Sequence, residues 1–152
     1  MTSQSSLLQS GAVVLDHPAR TRDEAILACG EKLVELGAVA EGYVDEMLAR
    51  EQKYSTYLGK GAAIPHGLFE AKHLINFDQI VFMRLRNEVE WGDEKVRIVI
   101  GLAVTGHSHV ELLAAIADLL INSDKRQFLL ECVDSQQALK ILVSVLPSSA
   151  HK

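Results

Sequence analysis

The sequence predicts a three-layer α/β domain, a mixed β-sheet flanked by helices. Three observations lead there. A strand-like run and two helix-like segments open the chain, Val/Ile/Phe-rich segments fill its middle, and three helical segments close it. At 152 residues the chain can bury a core as one domain without disulfides or metal. Nearly half of its residues are hydrophobic, yet no apolar run approaches the ~20 residues of a membrane span. Direct membrane insertion is therefore not expected.

The start, Met1-Thr2-Ser3-Gln4-Ser5-Ser6, is polar and offers no signal-peptide core. Residues 1–11 read as a flexible tail, 12–147 as the single domain and 148–152 as a second tail. Ala12 to Leu15 is the first strand. Thr21-Arg22-Asp23-Glu24 has the form of a capping box, and Ala25, Ile26, Cys29, Leu33 and Leu36 follow at helical spacing up to a stop at Gly37. A second helix runs from about Gly42 to Gln52, burying Tyr43, Met47 and Leu48.

Ile64 precedes a proline and should end a short strand, because the proline ring pushes it towards extended backbone. Glu70 to Leu74 forms a helical turn with His73 on its surface. Gln79–Leu85 and Lys95–Val104 are β-patterned. Between them, residues 87–94 read as a short edge strand and an acidic turn, with Trp91 as a packing anchor. A helix should begin after Thr105-Gly106-His107, with Ser108 as its cap. Val110–Leu120, Asp124–Val133 and Gln136–Leu146 complete the helical third, and Pro147 ends it.

A formal net charge of −5 argues against nucleic acid as the main partner. Cys29 and Cys132 are far apart and lack metal or redox spacing, and Cys29 lies on the apolar stripe of the first helix. Buried structural thiols in a cytoplasmic protein fit that pattern.

The chemically informative stretch is Leu58-Gly59-Lys60-Gly61-Ala62-Ala63-Ile64-Pro65-His66-Gly67. Pro65 fixes its own φ, while Gly67 permits a turn or a close approach, so His66 sits between a stiff residue and a permissive one. No Asp or Glu occurs between Lys53 and Leu68, in a chain that is acidic overall. A site holding a phosphoryl group, with charge of about −1.5 to −2, needs that absence. The apolar neighbours Ile64, Pro65, Leu68 and Phe69 suit a surface on which another protein docks. Ordinary surface histidines share the local pattern, and Gly59-x-Gly61 lacks the G-K-[ST] ending of a nucleotide loop.

His107-Ser108-His109 admits three readings: metal ligands, a plain helix start, or a histidine assisting His66. Neither a Cys nor an acid stands at zinc-site spacing beside it. Arg50, near the end of the second helix, is by pattern a cation satisfying the helix dipole. Lys60, among the glycines, has no pattern-based role beyond solvation.

The runs Tyr43-Val44-Asp45-Glu46-Met47-Leu48-Ala49-Arg50-Glu51, Thr56-Tyr57-Leu58-Gly59, Ala63-Ile64-Pro65-His66-Gly67 and Val99-Ile100-Gly101-Leu102-Ala103, together with His109, resemble the enzyme IIA domain of the bacterial phosphotransferase system. Within the mannitol/fructose class the likeness is to the mannitol-type branch, and it extends from about Val13 to Leu146. The resemblance implies that His66 accepts phosphate from phospho-HPr on Nε2 and passes it to a cysteine of enzyme IIB. It implies that Arg50 lies near that histidine, where a planar guanidinium matches phosphate oxygens, and that His109 lies close by as a hydrogen-bonding partner. No metal or organic cofactor is implied. Enzyme IIB and the membrane IIC would be separate chains, and the process served would be uptake of mannitol or a related polyol or sugar. Two other readings stand beside it: a regulatory, phosphorylatable domain of the nitrogen-type branch, and a metal-dependent hydrolase using His66, His107 and His109. His107 has no role in the resemblance.

Overall fold

The structure is a computed structural model that describes residues 7–105 and 108–147. Its strands are β1 (Val13–His17), β2 (Tyr57–Gly59), β3 (Ala62–Ala63), β4 (Gln79–Trp91) and β5 (Glu94–Ala103). Its helices are α1 (Arg22–Glu35), α2 (Gly42–Lys53), α3 (Ser108–Ile121), α4 (Ser123–Glu131) and α5 (Ser135–Val145), with a 3-10 turn at Phe69–Leu74. The strands form one sheet in the order β1-β4-β5-β3-β2. β1 runs parallel to β4 and β3 parallel to β5, while β4–β5 and β2–β3 are antiparallel. The sheet is mixed, as predicted.

Its two faces carry different helices. On β5, a Cβ at Gly101 would meet Cys29 of α1 at 3.1 Å and Met47 of α2 at 3.9 Å. On β4, Arg84 reaches the carbonyls of Leu129 and Cys132 at the end of α4. Gly101 is paired with Val81, three residues from Arg84, so the two side chains leave opposite faces of the sheet. α1 and α2 therefore cover one face and α4 the other, which makes three layers. Trp91, Phe82, Ile26, Leu33 and Ile98 are among the large side chains fully buried between them.

Thr21 caps α1 as expected, its side chain accepting from the Glu24 N–H, while the Glu24 carboxylate reaches one residue past the cap and accepts from the Arg20 N–H. At its other end Gly37 takes φ +82°, and the N–H groups of Gly37 and Ala38 close onto the carbonyls of Val34 and Leu33.

Three expectations are corrected. Residues 87–91 are not a separate strand; they are the far end of β4, past its last β1 partner at Leu85, and among the described residues they pair with β5 alone, Val89 opposite Val96 and Trp91 opposite Glu94. The polar run hides this because the register shifts between Arg84 and Val89, leaving Arg86, Asn87 and Glu88 exposed. α4 and α5 begin one residue early, at Ser123 and Ser135, because Asn122 and Asp134 supply the caps. α4 also stops at Glu131, short of Val133, which is 90% exposed. Packing reaches upstream of residue 12: Leu7 and Leu8 are buried, and the Leu7 carbonyl accepts from the Ile80 N–H and from Gln79 Nε2. His107 and the side chain of Ser108 lie outside what the structure describes.

Candidate functional site

The His66 loop is tied to β5 at both backbone and side-chain level. The Pro65 carbonyl accepts from the Leu102 N–H at 2.9 Å, and His66 forms a parallel bridge with Leu102. The buried Tyr43 hydroxyl donates to the Leu102 carbonyl at 3.0 Å and accepts from the Gly67 N–H at 2.9 Å. Gly67 does not take positive φ. It is required because a Cβ there would come 2.7 Å from the Tyr43 ring. The close approach is thus to the protein's own α2.

His66 Nδ1 lies 2.7 Å from the Ile64 carbonyl. A carbonyl oxygen can only accept, so Nδ1 carries the proton, and the neutral ring presents a bare lone pair at Nε2. Burial pushes the His66 pKa below its ordinary value; the Ile64 carbonyl opposes this, Arg50 and His109 add to it, and Glu51 opposes it. The histidine is accordingly neutral near pH 7.

One side of His66 opens on a cavity of about 410 Å³. Arg50, Lys72 and His109 also line it, with Leu68, Ile75, Leu102 and Val104 among its apolar walls. The His109 ring stands edge-on to that of His66, centroids 6.0 Å apart. The fold thus brings His66, Arg50 and His109 into one cavity. Lys60 is not among its lining residues. It sits at the tip of the β2–β3 hairpin with φ +55°, between Gly59 at +123° and Gly61 at +76°. His73 is exposed on the 3-10 turn.

Arg50 satisfies both placements that the sequence presents as alternatives. Its Nη1 donates to the Tyr54 carbonyl just past the end of α2, and its guanidinium lies 6.0 Å from the Tyr54 ring centroid. It lines the His66 cavity as well, and among the described residues it forms no ion pair.

Two residues near the site have no role in the reading of the sequence. Lys72 reaches the cavity from the 3-10 turn, whose facing depends on tertiary packing. Glu51 is only 3% exposed and accepts from the Thr56 N–H, Thr56 Oγ1 and Trp91 Nε1. Trp91 is therefore a hydrogen-bond donor as well as the expected packing anchor. Among the described residues no group of three His, Cys, Asp or Glu is placed to hold a metal ion.

The family model described as "Phosphoenolpyruvate-dependent sugar phosphotransferase system, EIIA 2" matches residues 6–145. The chain belongs to that family. Among its enzyme IIA relatives is the mannitol-specific phosphotransferase enzyme IIA component of Halalkalibacterium halodurans, 36% identical over 140 residues, covering 92% of this chain and 97% of the relative. The solved enzyme IIA of the mannitol system from Escherichia coli superposes with a TM-score of 0.82 at 33% identity, over 89% of this chain and 98% of that one. The same protein in a complex with phosphorylated enzyme IIB gives a TM-score of 0.84 at 31% identity, covering 90% and 97%.

Proposed function

We propose that this enzyme IIA protein is the phosphoryl carrier of a mannitol-type phosphotransferase system, with His66 Nε2 as the carrying atom. The observation that supports this most strongly is the Nδ1–H bond to the Ile64 carbonyl, which leaves Nε2 as the lone-pair nitrogen of a neutral ring. In the first half-reaction Nε2 attacks the phosphorus of phospho-HPr; the new N–P bond forms as the donor's N–P bond breaks. In the second, the enzyme IIB thiolate attacks, the His66 N–P bond breaks, and the pair of electrons returns to Nε2. Nδ1 keeps its proton throughout, so the Ile64 carbonyl holds the ring in one orientation in both states.

Such transfer needs in-line positioning and charge stabilisation more than covalent machinery. The Arg50 guanidinium supplies a planar fork of donors on the cavity wall, and His109 supplies a second imidazole edge-on to the first. No helix of the described residues is long and apolar enough to cross a membrane. A cytoplasmic carrier meeting a separate enzyme IIB and, through it, the membrane IIC fits that. The test is labelling by phospho-HPr without added metal, followed by mixing with mannitol-type and other enzymes IIB. Acid-labile label delivered preferentially to the mannitol-type IIB is expected; label that requires metal, or that no IIB accepts, contradicts the reading.

A further inference from the structure

We infer that Glu51 is a positioning residue for His66, acting through Thr56 and Ile64, with Trp91 holding its carboxylate from the other side. This rests on His66 being the carrier.

Glu51 stands in the last turn of α2, and Trp91 ends β4, forty residues away. A carboxylate this deeply buried is stable only if its lone pairs are met. Here they are met by three N–H and O–H donors, at 2.5 Å from Thr56 Oγ1 and 2.8 Å from both the Thr56 N–H and Trp91 Nε1. Thr56 is gripped by its backbone N–H and its side chain together, which restrains the residue whose carbonyl makes the next link. That carbonyl accepts from the Ile64 N–H at 3.0 Å. The Ile64 carbonyl accepts in turn from His66 Nδ1 at 2.7 Å. Each link fixes the next, and the last one selects the tautomer that bares Nε2.

The Glu51 charge also raises the His66 pKa, against the larger effect of burial and the lowering by Arg50 and His109. Glu51 does not line the cavity, so its influence on transfer runs through the His66 ring and not through phosphate.

Three variants of the full chain test this: Thr56→Val, which removes the hydroxyl donor at nearly constant shape; Thr56→Ser, which keeps it; and Trp91→Phe, which removes the indole N–H and keeps a buried ring. Two quantities are read on folded protein: the ¹⁵N shifts of the His66 ring, which report the tautomer without any phosphorylation, and kcat and KM for transfer from phospho-HPr. Thr56→Val should move His66 from a single Nδ1–H form to a mixture and lower kcat about tenfold with KM unchanged. Thr56→Ser should restore most of both, and Trp91→Phe should shift both in the same direction by less. Unchanged ring shifts and kcat in Thr56→Val, or an equal loss in Thr56→Ser, would overturn the inference. If Thr56→Val does not fold, unchanged ring shifts and kcat in Trp91→Phe overturn it. Failure of the carrier reading looks different: the wild-type chain then takes no label on His66, whatever its tautomer.

Discussion

His109 meets His66 edge to face, the ring planes at 81° and the centroids 6.0 Å apart. At that separation the rings do not share a proton, yet a phosphoryl group on His66 would lie within reach of a donor from His109. His109→Ala should therefore still accept label from phospho-HPr, with an altered phosphohistidine lifetime and slower delivery to enzyme IIB. Rapid-quench measurement of both half-reactions checks this; unchanged lifetime and rates would reduce His109 to a helix-start residue.

Arg50→Ala should slow transfer in both directions, through loss of charge-assisted hydrogen bonds worth about 1.5–3 kcal/mol each. Its bond to the Tyr54 carbonyl also caps α2, so some loss of stability accompanies it. Arg50→Lys should recover only part of the rate, because an ammonium cannot make a bidentate contact. Steady-state rates beside thermal melts separate the two effects. Full activity in the lysine variant would show that bulk charge alone matters.

The depressed His66 pKa fixes a pH dependence in a stated direction. Between the folded-state pKa and the ordinary value near 6.5, the unfolded chain binds more protons than the folded one. Stability from this group is therefore full above about 6.5, is lost as pH falls through that window, and is gone below the folded pKa. The acceptor half-reaction should follow the folded pKa, since protonation removes the lone pair. Histidine titration by NMR on wild type, with melts of wild type and His66→Gln across pH, reads both; a folded pKa above the ordinary value contradicts the placement.

Tyr43→Phe should cost about 1–3 kcal/mol, since it leaves the buried Leu102 carbonyl and Gly67 N–H without the hydroxyl they share. Denaturant melts measure it. A cost near zero would mean that the loop is held by the Pro65–Leu102 and His66–Leu102 pairing alone.

What could be read from the sequence was whatever is local. Thr21 to Glu24 names its helix start, Gly37 names its end, and Pro65-His66-Gly67 is set apart by three adjacent residues. Apolar periodicity is enough to order strands and helices because one face of each must be buried. The extent of β4 is not local: Val89 and Trp91 are strand because Val96 and Glu94 face them across the hairpin. The same holds for the support of the site. Nothing near Glu51 in the sequence announces Trp91, and nothing near Gly67 announces the Tyr43 ring that forbids a side chain there. The acid-free stretch around His66 is real as sequence, but Glu51 lies just upstream of it and bears on the His66 pKa.

The cysteines should be silent in transfer. Burial pushes the Cys29 thiol up to about 12, so it is not a thiolate at neutral pH, and it packs against Gly101. Cys132 is buried at the end of α4 beside Arg84. A folded Cys29→Ser, Cys132→Ser double variant should match wild type in both half-reactions; lost transfer in folded protein would contradict that.

In the proposed mechanism one nitrogen of one residue carries the phosphoryl group. Phosphorylation of ¹⁵N-histidine-labelled protein by phospho-HPr, followed by ¹⁵N and ³¹P NMR, reads that atom directly. The expected result is phosphorus bonded to Nε2 of His66, with Nδ1 still protonated. Phosphate on Nδ1 of His66, or on His73, His107 or His109, would contradict it.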